Sequence, residues 1–185
     1  MPRASVVNGG AAASALHHHV RLRWLAIGIV ALVALLFPAI YHPRLRLIWN
    51  VSASVPAGLY GIKPGVLLQV GDLVAVRPSP ALTRYMAERG YVEAGALLIK
   101  PIAAMHGATV CRKGFGIMIA GKMIATALSH DRFGRPLPRW SSCRQLRGDQ
   151  LFLIAPSTAS FDSRYFGAVD GSQIVGRATP LWTFL

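Results

Sequence analysis

The chain has 185 residues, with 20 Lys and Arg against 7 Asp and Glu, a formal net charge of +13. Hydrophobic residues make up 53% and charged residues only 15%, which excludes a disordered chain. Two cysteines are too few for a small disulfide scaffold, and the length fits one domain, or one domain with a membrane segment.

Residues 1–20 are rich in small residues, including Gly9-Gly10-Ala11-Ala12-Ala13, and read as a disordered tail. His17, His18 and His19 belong to that tail and read as a solvated run. From Trp24 to Tyr41 no residue is charged. Such a run, at about 1.5 Å per residue, covers roughly 27 Å, close to the hydrocarbon thickness of a bilayer. Trp24 and Tyr41 stand where interfacial aromatics belong, and Pro38 falls in the last turn. The expectation is an uncleaved transmembrane anchor over 21–43. A cleaved signal peptide and a buried core helix are the rival readings; the run is longer than a usual signal-peptide core and no clear small-residue cleavage site follows. Arg3, Arg21 and Arg23 precede the run while Arg44 and Arg46 follow it, so charge gives only a weak orientation.

Residues 44–185 then form one domain. Beyond Asn50 lie fifteen basic and all seven acidic residues, a net +8. The basic residues are scattered, and no helix-turn-helix, zinc or RNA-binding pattern appears, so no nucleic acid is expected as a partner. A basic surface near anionic lipid headgroups is the modest reading.

The apolar segments at 58–62, 66–70 and 73–77 are separated by Pro64-Gly65 and Gly71-Asp72, both turn pairs, and read as strands. Ser79-Pro80 supplies an N-cap and a first-turn proline for a short helix over 81–89 ending at Gly90. Strands follow at 96–102 and 108–112. Gly121 separates 117–120 from 122–127 as a hairpin. Strands at 150–155 and 173–178 complete a mainly β, mixed α+β domain.

Cys111 and Cys143 form no Cys-x-x-Cys pair, and His106 and His130 are far apart in sequence, so no metal and no cofactor are expected. The two cysteines could be bonded in an oxidising compartment or stand as two buried thiols. There is no Gly-x-Ser-x-Gly elbow and no glycine-rich nucleotide loop.

Three boxes carry the functional argument. The first is Asn50-Val51-Ser52-Ala53-Ser54-Val55-Pro56-Ala57-Gly58-Leu59-Tyr60. The second is Leu98-Ile99-Lys100-Pro101-Ile102, and the third is Ser160-Phe161-Asp162-Ser163-Arg164-Tyr165-Phe166-Gly167. In this order, behind an apolar segment, they resemble the signal peptidase I superfamily. The S-x-P-x-G-x-Y form of the first box, with Gly134-Arg135-Pro136-Leu137-Pro138 and the third box, resembles its TraF branch, the conjugal-transfer proteases that mature a pilin precursor.

That resemblance implies a β-fold like that of signal peptidases and LexA, and a Ser–Lys dyad with Ser54 as nucleophile and Lys100 as general base. A serine hydroxyl needs an adjacent base, and a lysine can serve only when burial disfavours its charge. Lys100 lies in an apolar stretch of the required kind. By the same resemblance, Ser52 and the Ser54 N–H are oxyanion donors, Ser160 orients the lysine, and Asp162 and Arg164 brace the site by pairing. The sequence departs from general leader peptidases in reading S-V-P and in placing Pro101 after the lysine. The span from Lys100 to Asp162 is also short for their large accessory β-domain. The expected function is a membrane-anchored serine endopeptidase of the inner membrane, with its catalytic domain on the periplasmic side. Its expected partners are membrane lipid and a pilin precursor or other exported protein, with cyclisation through an acyl-enzyme as one outcome. The alternatives are a general type I signal peptidase and a catalytically silent, membrane-anchored channel subunit.

Overall fold

In the computed structural model, residues 23–34, 36–37 and 46–184 are described. The chain divides into two units, with the boundary between Pro43 and Arg44. Residues 23–34 and 36–37 of the first unit are helical, with Trp24, Ile29 and Val33 exposed. Among the described residues, no helix is long and apolar enough to cross a membrane. The tail expected over 1–20, and residues 21–22, 35 and 38–43 of the expected anchor, lie outside the described residues.

The second unit is mainly β. Strands β1 (Arg46–Asn50), β2 (Ala57–Lys63), β3 (Leu73–Val76), β4 (Leu98–Ala104), β9 (Phe152–Leu153) and β10 (Ile174–Phe184) form a six-stranded sheet in the order β1-β2-β10-β3-β4-β9. Every pairing is antiparallel. Strands β5 (Thr109–Lys113), β6 (Gly116–Ile119), β7 (Lys122–Thr126) and β8 (Ser142–Gln145) form a second sheet in the order β7-β6-β5-β8. Helix α1 (Pro80–Glu88) and the single-turn α2 (Ser163–Phe166) complete the unit with a 3-10 turn at Gly171–Gln173.

Local chemistry explains these elements. Ser79 caps α1, its Oγ accepting the Leu82 N–H at 3.3 Å, and Pro80 opens the helix where a missing N–H does no harm. The β6–β7 hairpin pairs Ile119 with Lys122, leaving Ala120-Gly121 as a two-residue loop with φ of 47° and 79°. Positive φ at both positions matches the twist of the flanking strands. Gly58 is required by close approach. A Cβ there would sit 2.2 Å from the Trp182 carbonyl oxygen of β10.

The segment 66–70 departs from expectation and is no strand. Neighbouring β2 and β3 are each already paired on both edges, with β1 and β10 and with β10 and β4, so no ladder is open to it. Leu67 and Val70 are left exposed. Strands β1 and β8 and helix α2 were not foreseen. Strand β8 is polar and exposed throughout, without the alternation that marks a half-buried strand. The short stretch between Lys100 and Asp162 nevertheless accommodates the entire second sheet.

Two apolar clusters fix the six-stranded sheet. Val74, Val76, Leu98 and Ile102 pack with Met86 of α1 and with Leu153, while Tyr60, Ile62, Ala75, Ile99 and Ala178 form a separate cluster. Alternation along a strand assigns these to opposite faces. Lys100 therefore shares a face with Leu98 and Ile102. A third cluster, including Val110, Ile117, Leu146 and Phe152, underlies the second sheet.

Candidate active site

The first box folds as the turn between β1 and β2, followed by β2 itself. Val55 is buried in the core and anchors the turn, while Ser54 remains partly accessible. Buried Tyr60 donates from its hydroxyl to the Pro56 carbonyl at 2.7 Å, tying the turn to the strand. The second box is β4, an interior strand between β3 and β9. Lys100 sits opposite Val74 in the β3–β4 register and is 3% exposed.

These elements bring the first and second boxes together. Lys100 Nζ lies 2.5 Å from Ser54 Oγ and donates to Ser160 Oγ at 2.8 Å. The Ser160 hydroxyl is 3.3 Å from Ser54 Oγ. Burial lowers the lysine pKa from 10.5 to about 8; Asp162 pulls it up and Arg164 pushes it further down. A primary amine with that pKa exists in its neutral form in useful amounts near neutral pH. Its lone pair can accept a serine proton while an N–H remains bonded to Ser160.

The third box forms the floor. Asp162 is the N-cap of α2, its Oδ1 accepting the Arg164 N–H at 3.1 Å and its Oδ2 the Ala155 N–H at 3.0 Å. Arg164 Nη1 stands 3.4 Å from Asp162 Oδ2, both side chains being buried. The same guanidinium donates to the carbonyls of Ser157 at 2.8 Å and Ala155 at 2.5 Å. The pair thus stitches the 155–160 loop, which presents Ser160, onto α2. Burial raises the Asp162 pKa against the opposing pull of Arg164 and the two N–H donors. Ser163 Oγ accepts the Leu153 N–H at 2.9 Å, joining α2 to β9.

Ser52 lies beside Ser54 in the cleft lining, but its hydroxyl is bonded to Asn50 Oδ1 at 3.0 Å. Asn50 was missed as a site residue. A lone asparagine ending a strand carries no sequence signal beyond its place at the head of the first box.

A cleft of about 460 Å³ opens over Ser54, Lys100 and Ser160. Met86, Leu98, Val92 and Phe161 give it an apolar lining, and Leu128, His130 and Leu137 line it from the stretch between β7 and β8. That stretch is clamped by Asp131, which accepts from the Tyr91 hydroxyl at 2.7 Å and from Arg135 Nε at 2.7 Å. Its Arg135 and Pro136 are the centre of the Gly134–Pro138 box; Arg135 Nη2 and Arg89 Nη1 each donate across to the other segment's carbonyl. Cys111 and Cys143, opposite one another on β5 and β8, are joined by a disulfide away from the cleft lining. Among the described residues no group of three or more His, Cys, Asp or Glu could hold a metal ion.

The family model for signal peptidase, peptidase S26, matches residues 19–182. The chain is 34% identical over 148 residues to a probable conjugal transfer protein TraF of Sinorhizobium fredii (strain NBRC 101917 / NGR234), covering 73% of this chain and 76% of that protein. It is 34% identical over 145 residues to the conjugal transfer protein TraF of Agrobacterium fabrum (strain C58 / ATCC 33970), covering 73% and 81%. A plasmid transfer protein TraF of Escherichia coli is 29% identical over 145 residues, covering 73% and 82%. The crystal structure of a signal peptidase I from Enterococcus faecalis V583 is a distant likeness, at 19% identity and a TM-score of 0.39 over 62% of this chain and 98% of that one.

Proposed function

The chain belongs to the signal peptidase S26 family and resembles its TraF members, and from that premise we propose a Ser–Lys endopeptidase that processes a pilin precursor for conjugation. The observation that carries this reading is the 2.5 Å approach of Ser54 Oγ to a buried lysine whose pKa burial lowers to about 8.

Ser54 Oγ attacks the scissile carbonyl while its proton passes to Lys100 Nζ. Ser160, bonded to the same nitrogen, keeps the lone pair aimed at Ser54. The tetrahedral oxyanion is met by the Ser54 N–H and the Ser52 hydroxyl, donors worth a few kcal/mol in such sites. Lys100 then gives its proton to the leaving amine, and the acyl-enzyme remains on Ser54. Water resolves it to a linear product. A substrate's own N-terminal amine would resolve it to a cyclic one, if the apolar cleft holds the amine close and keeps water out.

We place the enzyme in the inner membrane, anchored by the apolar segment beginning at Trp24, with the second unit on the periplasmic side. The Cys111–Cys143 bond supports an oxidising compartment.

The test is the intact mass of a pilin precursor co-expressed with the wild-type chain or with Ser54→Ala. The expected product is shorter, depends on Ser54, and is one water lighter than the trimmed linear chain. A linear Ser54-dependent product leaves a hydrolytic signal peptidase. An equal yield of product with Ser54→Ala would falsify the dyad.

A further inference from the structure

The turn carrying Ser54 is held from inside by a residue to which the mechanism above gives no part. Asn50, the last residue of β1, is only 7% exposed. Its Nδ2 donates to the carbonyl oxygens of Ser52, Val55 and Pro56 at 3.0, 3.2 and 3.2 Å. Its Oδ1 accepts the Ser52 N–H at 3.2 Å and the Ser52 hydroxyl at 3.0 Å. Carbonyls can only accept and the Ser52 N–H can only donate, so the neighbours fix which way the side chain points; the two amide protons are shared among the three carbonyls. The bonded residues stand on both sides of Ser54. One side chain therefore sets where the turn places the nucleophile relative to Lys100.

The bond to the Ser52 hydroxyl has a further consequence. A hydroxyl carries a single proton, and here it is directed at Asn50 Oδ1, although Ser52 lines the cleft next to Ser54. A developing oxyanion is a stronger acceptor than an amide oxygen. The proton can swing to it by rotation about the Cβ–Oγ bond, while Asn50 keeps its hold on the Ser52 N–H. No covalent bond changes in this step; the hydroxyl only exchanges one acceptor for another. A hydrogen bond that reaches the substrate only as charge develops stabilises the transition state more than the ground state, and so raises kcat rather than lowering KM.

We infer that Asn50 is a positioning residue that sets the Ser54 turn and holds the Ser52 hydroxyl in reserve for the oxyanion. The inference rests on the Ser–Lys reading above.

The test uses the full chain and p-nitrophenyl acetate, a small activated ester, with the rate of Ser54→Ala subtracted. Asn50→Ala and Asn50→Asp should each lower kcat by about 10- to 100-fold with KM within about twofold. Ser52→Ala should lower kcat by about tenfold or more in the wild-type background, but by less than about threefold when Asn50 is already alanine. Wild-type kcat in both Asn50 variants at a lowered Tm, or independent effects of the two sites, would overturn the inference. So would failure of both Asn50 variants to fold while Ser52→Ala and Ser54→Ala fold, because Asn50 would then serve folding. Equal rates for the wild type and Ser54→Ala would sink the Ser–Lys reading instead.

Discussion

The two sheets of the second unit bury their residues differently. Along β4 of the six-stranded sheet, Leu98, Ile99, Lys100, Ile102 and Ala104 are all buried, so even a lysine is drawn out of water. Along β8 of the four-stranded sheet every residue is exposed, and along β7 all but one. The first sheet can enforce an unusual protonation state, because its interior strand is covered on both faces. The second buries Val110 and Ile117 on its inner strands, carries a disulfide between adjacent strands, and contributes cleft wall through the stretch between β7 and β8. The proposed base thus sits on the more deeply buried sheet, and part of the cleft wall comes from the connection between two strands of the more exposed one.

The largest effect should come from replacing the buried amine. Lys100→Met should lower processing by at least about 10³-fold, as expected for loss of a dyad member. The same variant should melt higher than the wild type at pH 7, because it no longer buries a charge. In the wild type, activity should rise about tenfold per pH unit towards about 8 and level off above it, as the amine loses its proton. Between about 8 and 10.5 the folded lysine holds fewer protons than the unfolded one, so the wild type should gain stability as pH rises through that window. Lys100→Met should lack this gain. Rate and Tm followed across that range check both parts.

Next in size is the buried pair beneath the site. Asp162→Ala leaves Arg164 buried without its carboxylate and removes the acceptor for two backbone N–H groups. It should destabilise the fold by about 3–5 kcal/mol, measured by urea unfolding. A change below about 1 kcal/mol would mean that the pair behaves like a surface ion pair.

The smallest effect should come from the second sheet. Cys143→Ser opens a link across 32 residues, for which unfolded-chain entropy suggests about 3–4 kcal/mol. Local fraying of the exposed sheet should absorb part of that loss. KM should rise while kcat changes little, because Ser54, Lys100 and Ser160 all lie outside this sheet. If kcat falls as far as KM rises, the proposed division between the sheets is wrong.

Much of the site is legible in the residues. Ser54, Lys100, Ser160, Asp162 and Arg164 lie in the boxes, and the resemblance those boxes carry is what assigns them as nucleophile, base, orienting serine and brace. Ser79-Pro80 marks the start of α1, and Gly121 the hairpin, because capping and turn preferences are local. Segment 66–70 misleads for the opposite reason. Its apolar residues suit a strand, but a strand needs a free partner edge, and the order β2-β10-β3 leaves none there. Short β8 and the helical turn at 163–166 escape notice because their residues are held by distant partners rather than by their own pattern.

The sequence by itself determined which residues could do the chemistry, since the ability of a serine to attack and of a lysine to take a proton belongs to their side chains. Tertiary structure alone decided that they meet. It is the pairing of β3 with β4 and the turn between β1 and β2 that carry Ser54, 46 residues away in the chain, to 2.5 Å from Lys100. It also decided that the lysine pKa falls, because desolvation is set by everything packed around the amine. The work of Asn50 likewise appears only once the chain has turned back and brought five backbone and hydroxyl groups within reach of one amide.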